Sequence, residues 1–200
     1  MIYRALMLAL TLGLATSCTV LPERGPVDLY QLPPSSLTAN NGVTLQGALR
    51  LSRPATSDAL GGSRVLILTE DHSFQAFPEA RWAAPIPQLW RDWLLDAFWR
   101  DGRVTELSSS GDSLHATLEL SGMLRAMHVE YINGQPHGVI RYDAQLVDVR
   151  TRSIVASRRF EATQRTTDDS VPAAVRAIGA ASDQLAADLI GWTVTVSGTL

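Results

Sequence analysis

Four things are scarce in this 200-residue chain, and each scarcity removes a class of function. There is one cysteine, so an intramolecular disulfide and a multi-cysteine zinc site are both excluded. There is no lysine; all 17 basic residues are arginine, which reads as genome composition bias rather than as a signal of function. The net charge is −3, which argues against a general nucleic-acid binder, since such proteins are normally basic. Long apolar runs are missing too: no stretch approaches the roughly 20 residues needed to span a bilayer as a helix.

The motifs of catalysis are equally sparse. His72, His115, His128 and His137 fall in different segments, with no His-Glu-x-x-His spacing for a zinc hydrolase. No phosphate-cradling Gly-x-x-x-x-Gly-Lys loop occurs, so any ATP hydrolysis must come from a partner. No Gly-x-Ser-x-Gly elbow is present. Ser108, Ser109, Ser110 and Ser113 with His115 could suggest a hydrolase, but serines beside Gly111 and Asp112 are the ordinary composition of a hairpin loop. No catalytic residue, metal ligand or cofactor is assigned.

What is present begins at the N-terminus. Arg4 precedes an apolar run, Ala5 to Ala15, too short to cross a membrane and of the length of a secretory signal core. It ends in Ala15-Thr16-Ser17-Cys18. Two small residues before a cysteine resemble a bacterial lipobox, with Leu14 one place further back than usual. The alternative is a plain signal peptide with a passive cysteine near the cut. The lipoprotein reading makes Cys18 the lipidated first mature residue, and a diacylglyceryl group supplies the two chains that stable anchoring needs. Thr19 follows it, and by similarity to enteric sorting rules this permits export to the outer membrane.

The chain then divides. Residues 1–17 read as the signal, 18–44 as a lipidated, Pro/Ser/Asn-rich tether containing one apolar island at Asp28–Leu32, and 45–200 as a single domain. Alternating apolar residues at 45–51 indicate a strand with one buried face, and Arg64–Thr69 reads as a buried central strand. A weaker strand is expected at His72–Phe77. After Pro85 and Pro87, Leu89, Trp90, Trp93, Leu94, Ala97 and Phe98 mark one face of a helix that Gly102 stops. Strands follow at 114–121, with Gly122 as a bend, at 127–131, at 140–146 and at 154–160. Asn133-Gly134 marks a turn, lengthened by Gln135–Gly138. An Ala-rich helix from about 170 to 190 follows Asp168 and Asp169 and closes at Gly191, with Trp192 as a core lid. The expected fold class is α+β: a mostly antiparallel sheet with two main helices packed on one face, in the order β-β-(β)-α-β-β-β-β-α.

Leu49–Pro54, Leu60–Ile67 and, above all, Ala80-Arg-Trp-Ala-Ala-Pro85-Ile-Pro87 before a Trp-rich helix resemble the ABC-type transport auxiliary lipoproteins (PqiC-like). Tyr142–Asp148, Phe160 and the last helix closing on Trp192 extend the resemblance over nearly the whole chain. It implies a non-enzymatic, periplasm-facing outer-membrane lipoprotein serving an MCE-class lipid transport system. The implied partners are an MCE-domain protein and, through it, an inner-membrane permease and ATPase, with self-association into rings as a further expectation. An assembly factor for an outer-membrane protein would have the same anchor and fold. The candidate partner-binding residues are Arg81, Trp82, Trp99, Arg141 and Arg159. Trp90 and Trp93 are assigned to the core by their helical spacing, and the outer sheet face bearing Arg141, Asp143, Arg159, Glu161 and Thr163 is solvated unless a partner covers it.

Overall fold

The structure is a computed structural model and describes residues 25–199. The signal and Cys18 lie outside the described residues. The sheet is built on three long strands, β7 (Leu118–Ile132), β8 (Gln135–Asp148) and β9 (Ser153–Arg165), paired antiparallel in sequence order. Asn133 and Gly134 take φ of 53° and 71°, the left-handed pair of a two-residue hairpin turn, and Ile132 pairs directly with Gln135. Residues 135–138 therefore belong to β8 and do not lengthen the turn.

The far edge of β7 is shared end to end by short strands. β2 (Leu49–Leu51) and β3 (Ala55–Thr56) pair with its first half, and β4 (Arg64–Leu68) pairs with its second, all parallel to it. Beyond β2 lies β6 (Leu107–Ser109), parallel. Beyond β4 lies β5 (Phe74–Trp82), antiparallel, and then β1 (Asp28–Tyr30), parallel to β5. The expected α+β class holds, and antiparallel pairing dominates by length. The parallel pairs follow from connectivity, because β2, β3 and β4 reach β7 only through a long crossover that includes a helix.

That helix is α1 (Ile86–Asp101), which ends at Gly102 with φ 77°. The second, α2 (Val171–Ser197), is capped by Ser170, whose hydroxyl accepts from the Ala173 amide. It runs on through Gly191, which the sequence reading takes as its end. Trp192 thus lies within the helix and meets the Phe160 ring edge-on at 5.5 Å. A glycine in a helix costs only about 1 kcal/mol, and the buried Thr193 and Val194 beyond it keep the helix docked.

Both helices lie on the face of the sheet that carries Ile140, Tyr142, Ala144 and Leu146. Trp90 stacks on Trp93 at 5.5 Å and meets Tyr142 at 6.3 Å, so these two indoles are core, as their spacing indicates. Gly138 is where α2 touches the sheet most closely: a side chain there would lie 2.5 Å from the Ile178 amide nitrogen.

Of the residues read from composition as a tether, 28–30 form β1 and 31–44 lie against the helices as a strap. The Trp93 indole donates to the Pro33 carbonyl at 2.7 Å, and Pro33 sits over Gly179, where no side chain blocks it. The Ser35 and Ser36 hydroxyls donate to Asp183 at 2.6 and 2.7 Å. The Asn40 amide donates to the Asp101 carbonyl, the Leu45 amide donates to the Arg103 carbonyl, and Leu32 and Leu45 are buried. Proline and serine suit a free linker, but here their carbonyls and hydroxyls are bound by groups some 60 to 148 residues away, which no local pattern reveals.

Candidate docking surfaces

The helix-free face of the sheet carries alternate residues of the three long strands, and the period-two pleat aligns them in rows. Asp143 on β8 faces Arg159 on β9 and lies diagonally from Arg125 on β7, at 2.5 and 2.8 Å. Arg159, then Arg125, hold its carboxyl well below its ordinary value. Alternation along β7 from Glu119 through Met123 sets Arg125 on this face, and a bulge between Leu124 and Ala126 brings His128 and Glu130 onto it as well. Further along, Arg141 contacts Glu161 at 2.5 Å and approaches Glu130 at 4.0 Å. Glu130 also meets the His128 ring at 2.8 Å, and that contact is the main reason its carboxyl is held low. Near the start of β7, burial pushes the Glu119 carboxyl up, but the Ser52 hydroxyl and Arg50 outweigh it and leave the carboxyl lowered.

Arg141 and Arg159 thus sit together on one face, as expected, but each is already neutralised by an acid. The face is a row of paired charges rather than a cationic patch. His128 is buried, with its Nδ1 unpartnered, and the Phe74 ring packs edge-on against it at 5.3 Å. No motif marks this pair; its only sequence signal is His128 and Glu130 two apart on one strand face.

The other candidates are scattered. Trp82, a candidate partner anchor, is 1% exposed and belongs to the core. The strand β5 continues to it, and its alternation turns the ring under the helices. Arg81 is half-buried and donates to the carbonyls of Ala80, Phe77 and Pro78, holding the irregular end of β5. Trp99 is different: it is 60% exposed, on the last turn of α1. Leu114, equally exposed, lies in the loop before β7. In that loop the Asp112 carboxylate accepts from the Ser109 amide at 2.6 Å, and Gly111 donates to the Ser109 hydroxyl, so the serines serve a turn. Among the described residues no group of three His, Cys, Asp or Glu is placed to hold a metal, and no helix is long and apolar enough to cross a membrane.

Comparison with known proteins bears on the whole domain. The model of the ABC-type transport auxiliary lipoprotein component matches residues 30–190, from β1 to the last turns of α2. An uncharacterised protein of Bradyrhizobium diazoefficiens is 29% identical over 160 residues, which are 76% of this chain and 40% of that protein. The chain thus spans well under half the length of that curated relative. The crystal structure of a Xanthomonas campestris protein superposes with a TM-score of 0.78 at 20% identity, covering 86% of this chain and 98% of the other. A hypothetical protein of Chlamydia trachomatis superposes with a TM-score of 0.52 at 9% identity, covering 78% of this chain and all of the other. At such identities these two structures speak for the fold alone.

Proposed function

The chain belongs to the family of ABC-type transport auxiliary lipoprotein components, and from that premise we propose that it is the outer-membrane member of an MCE-class lipid transport system. In this reading Cys18 carries the lipid anchor. The folded domain docks or organises the periplasmic MCE-domain protein, whose inner-membrane permease and ATPase supply the energy. The protein itself carries out no reaction and needs no cofactor. The family match over residues 30–190 carries the proposal.

Trp99, on the last turn of α1, is the candidate best suited to anchor the partner. Tryptophan in the centre of an interface is a common hot spot, and this one is exposed while Trp82, Trp90 and Trp93 are in the core. Arg141 and Arg159 serve a different purpose in this reading. Each is held by an acid, so a complementary partner meets a fixed pattern of charge that sets orientation and encounter rate more than affinity. Self-association is part of the proposal, because β9 pairs only with β8 among the described residues and leaves one edge of the sheet open.

The test is purification of the full-length protein from its own envelope in mild detergent, followed by identification of what accompanies it. An MCE-domain protein is the expected companion. Trp99→Ala should weaken its recovery by about 30-fold, the effect of losing roughly 2 kcal/mol at a hot spot. Recovery of an outer-membrane barrel alone would instead favour the assembly-factor role.

A further inference from the structure

Three large apolar side chains stand exposed at one end of the sheet. Phe74 opens β5 at the β4–β5 hairpin, and Tyr131 and Ile132 close β7 at the Asn133-Gly134 turn. They are 43%, 38% and 36% exposed, and the register places the two hairpin tips side by side, since Leu68 pairs with both Phe74 and Glu130. The turns between them, Glu70-Asp71-His72 and Asn133-Gly134, are polar as hairpin turns normally are; Phe74 packs one edge on His128, yet all three flanking side chains keep a third or more of their surface exposed.

The direction of the chain says what covers them. β1 is parallel to β5, with Asp28 opposite Ala80 and Tyr30 opposite Trp82. Followed back from Tyr30, the chain therefore advances along β5 toward the tips, and Gly25 lies beside the Glu79 side chain. Phe74 is six residues past Ala80, about 20 Å at the rise of a strand. Gly25 is seven positions after Cys18, a reach of at most about 25 Å. The described N-terminal segment thus heads for the end where the apolar tips stand, and the anchoring position is within that reach of Gly25.

We propose that the Phe74, Tyr131 and Ile132 tips are a second membrane contact, seated in the interfacial layer of the same bilayer that holds the acylated Cys18. The inference rests on the lipid-anchor reading of Cys18. Aromatic and aliphatic side chains favour that layer, and a tyrosine keeps its hydroxyl at headgroup level while its ring enters. Glu70, Asp71, Asp168 and Asp169 lie in the two loops at this end, and His72, His137 and Arg165 offset them only in part. The contact is therefore apolar and suits zwitterionic lipid rather than an acidic surface. It holds the long strands upright and leaves the opposite end, with Trp99 and Leu114, facing the periplasm.

The experiment places one thiol-directed fluorophore at either end of the full-length protein in phosphatidylethanolamine–phosphatidylcholine vesicles, through Ile132→Cys or Leu114→Cys. Acylation blocks the Cys18 thiol, so the introduced cysteine is the one labelled. Both positions are exposed, so folding is preserved, and a matching melting temperature checks it. Brominated acyl chains should quench the Ile132 label at least three-fold more than the Leu114 label, with little effect of salt. Equal quenching, stronger quenching at Leu114, or a Ile132 label that instead contacts a second copy in cross-linking would overturn the proposal. Mass spectrometry of the same samples separates the two failures. Acylated Cys18 with an unquenched tip refutes the second contact alone, whereas unacylated Cys18 removes the anchor and the inference with it.

Discussion

The two sides of β8 are made by one stretch of sequence and solve opposite problems. Toward the helices, Gly138, Ile140, Tyr142, Ala144 and Leu146 are packed in a close-fitting core. Toward the open face, Arg141 and Asp143 are held by Glu161, Arg159 and Arg125 across the strands. The first side is fixed by volume: α2 approaches so closely that one added carbon at Gly138 would overlap its backbone. The second is fixed by pairing, which solvent weakens. Stability is therefore concentrated on one side of the strand. The other side can vary or bind without unfolding the protein.

The largest predicted effect comes from overfilling the packed side. Gly138→Ala puts a methyl 2.5 Å from the Ile178 nitrogen and 2.6 Å from the Ala177 carbonyl carbon, both backbone atoms that cannot rotate away. A loss of about 3 kcal/mol is expected, read from urea denaturation. A loss under about 0.5 kcal/mol would mean that α2 does not press on β8 as described.

The strap gives an intermediate case, since it is tied to the helices by a few hydrogen bonds at Trp93 and Asp183. Asp183→Ala removes the acceptor for the Ser35 and Ser36 hydroxyls and for the Ser36 amide. A cost of about 1–2 kcal/mol is expected, with faster proteolysis within residues 31–45 while the rest of the domain stays protected. Cleavage spreading equally through the domain would show that the strap is not a separable unit.

The smallest effect belongs to the open face. Asp143→Asn should cost about 0.5 kcal/mol near neutral pH, and less at high salt. Arg159 and Arg125 hold the Asp143 carboxyl below its ordinary 3.8, so its contribution is fully present above that value and is lost as pH falls through the depressed one. The variant should therefore lose less stability than the wild type on acidification below about pH 4, which melting curves at a series of pH values would reveal. A melting temperature falling in parallel for both proteins would assign the acid sensitivity elsewhere.

These differences also decide what could be read in advance. Period-two alternation marked β7 and β8 because one side of each is apolar. The spacing of Trp90, Trp93, Leu94 and Phe98 marked α1 and set two indoles in the core. The same reasoning failed at Trp82, because the short, mixed composition of residues 72–77 concealed a strand that runs on to 82. Trp99 stands off the stripe of Trp90, Trp93, Leu94 and Phe98, and its exposure follows from that geometry. The ion-paired state of Arg141 and Arg159 could not be read at all. It depends on the β7–β8–β9 register and on a bulge that brings Glu130 onto the face of Arg141.

By itself, then, the sequence determined the elements whose signal is local: the hairpin turn at Asn133-Gly134, the two helices, the apolar face of each long strand and the α+β class they imply. It also carried the motifs that resemble the auxiliary lipoproteins. Only the tertiary structure decided that β2, β3 and β4 line up parallel along β7, that residues 31–44 strap the helices, and that the chain heads toward the apolar hairpin tips. Each of these depends on contacts between residues far apart in the chain. Hydrophobic period records which way a side chain faces, not which distant strand, carbonyl or carboxylate it will meet.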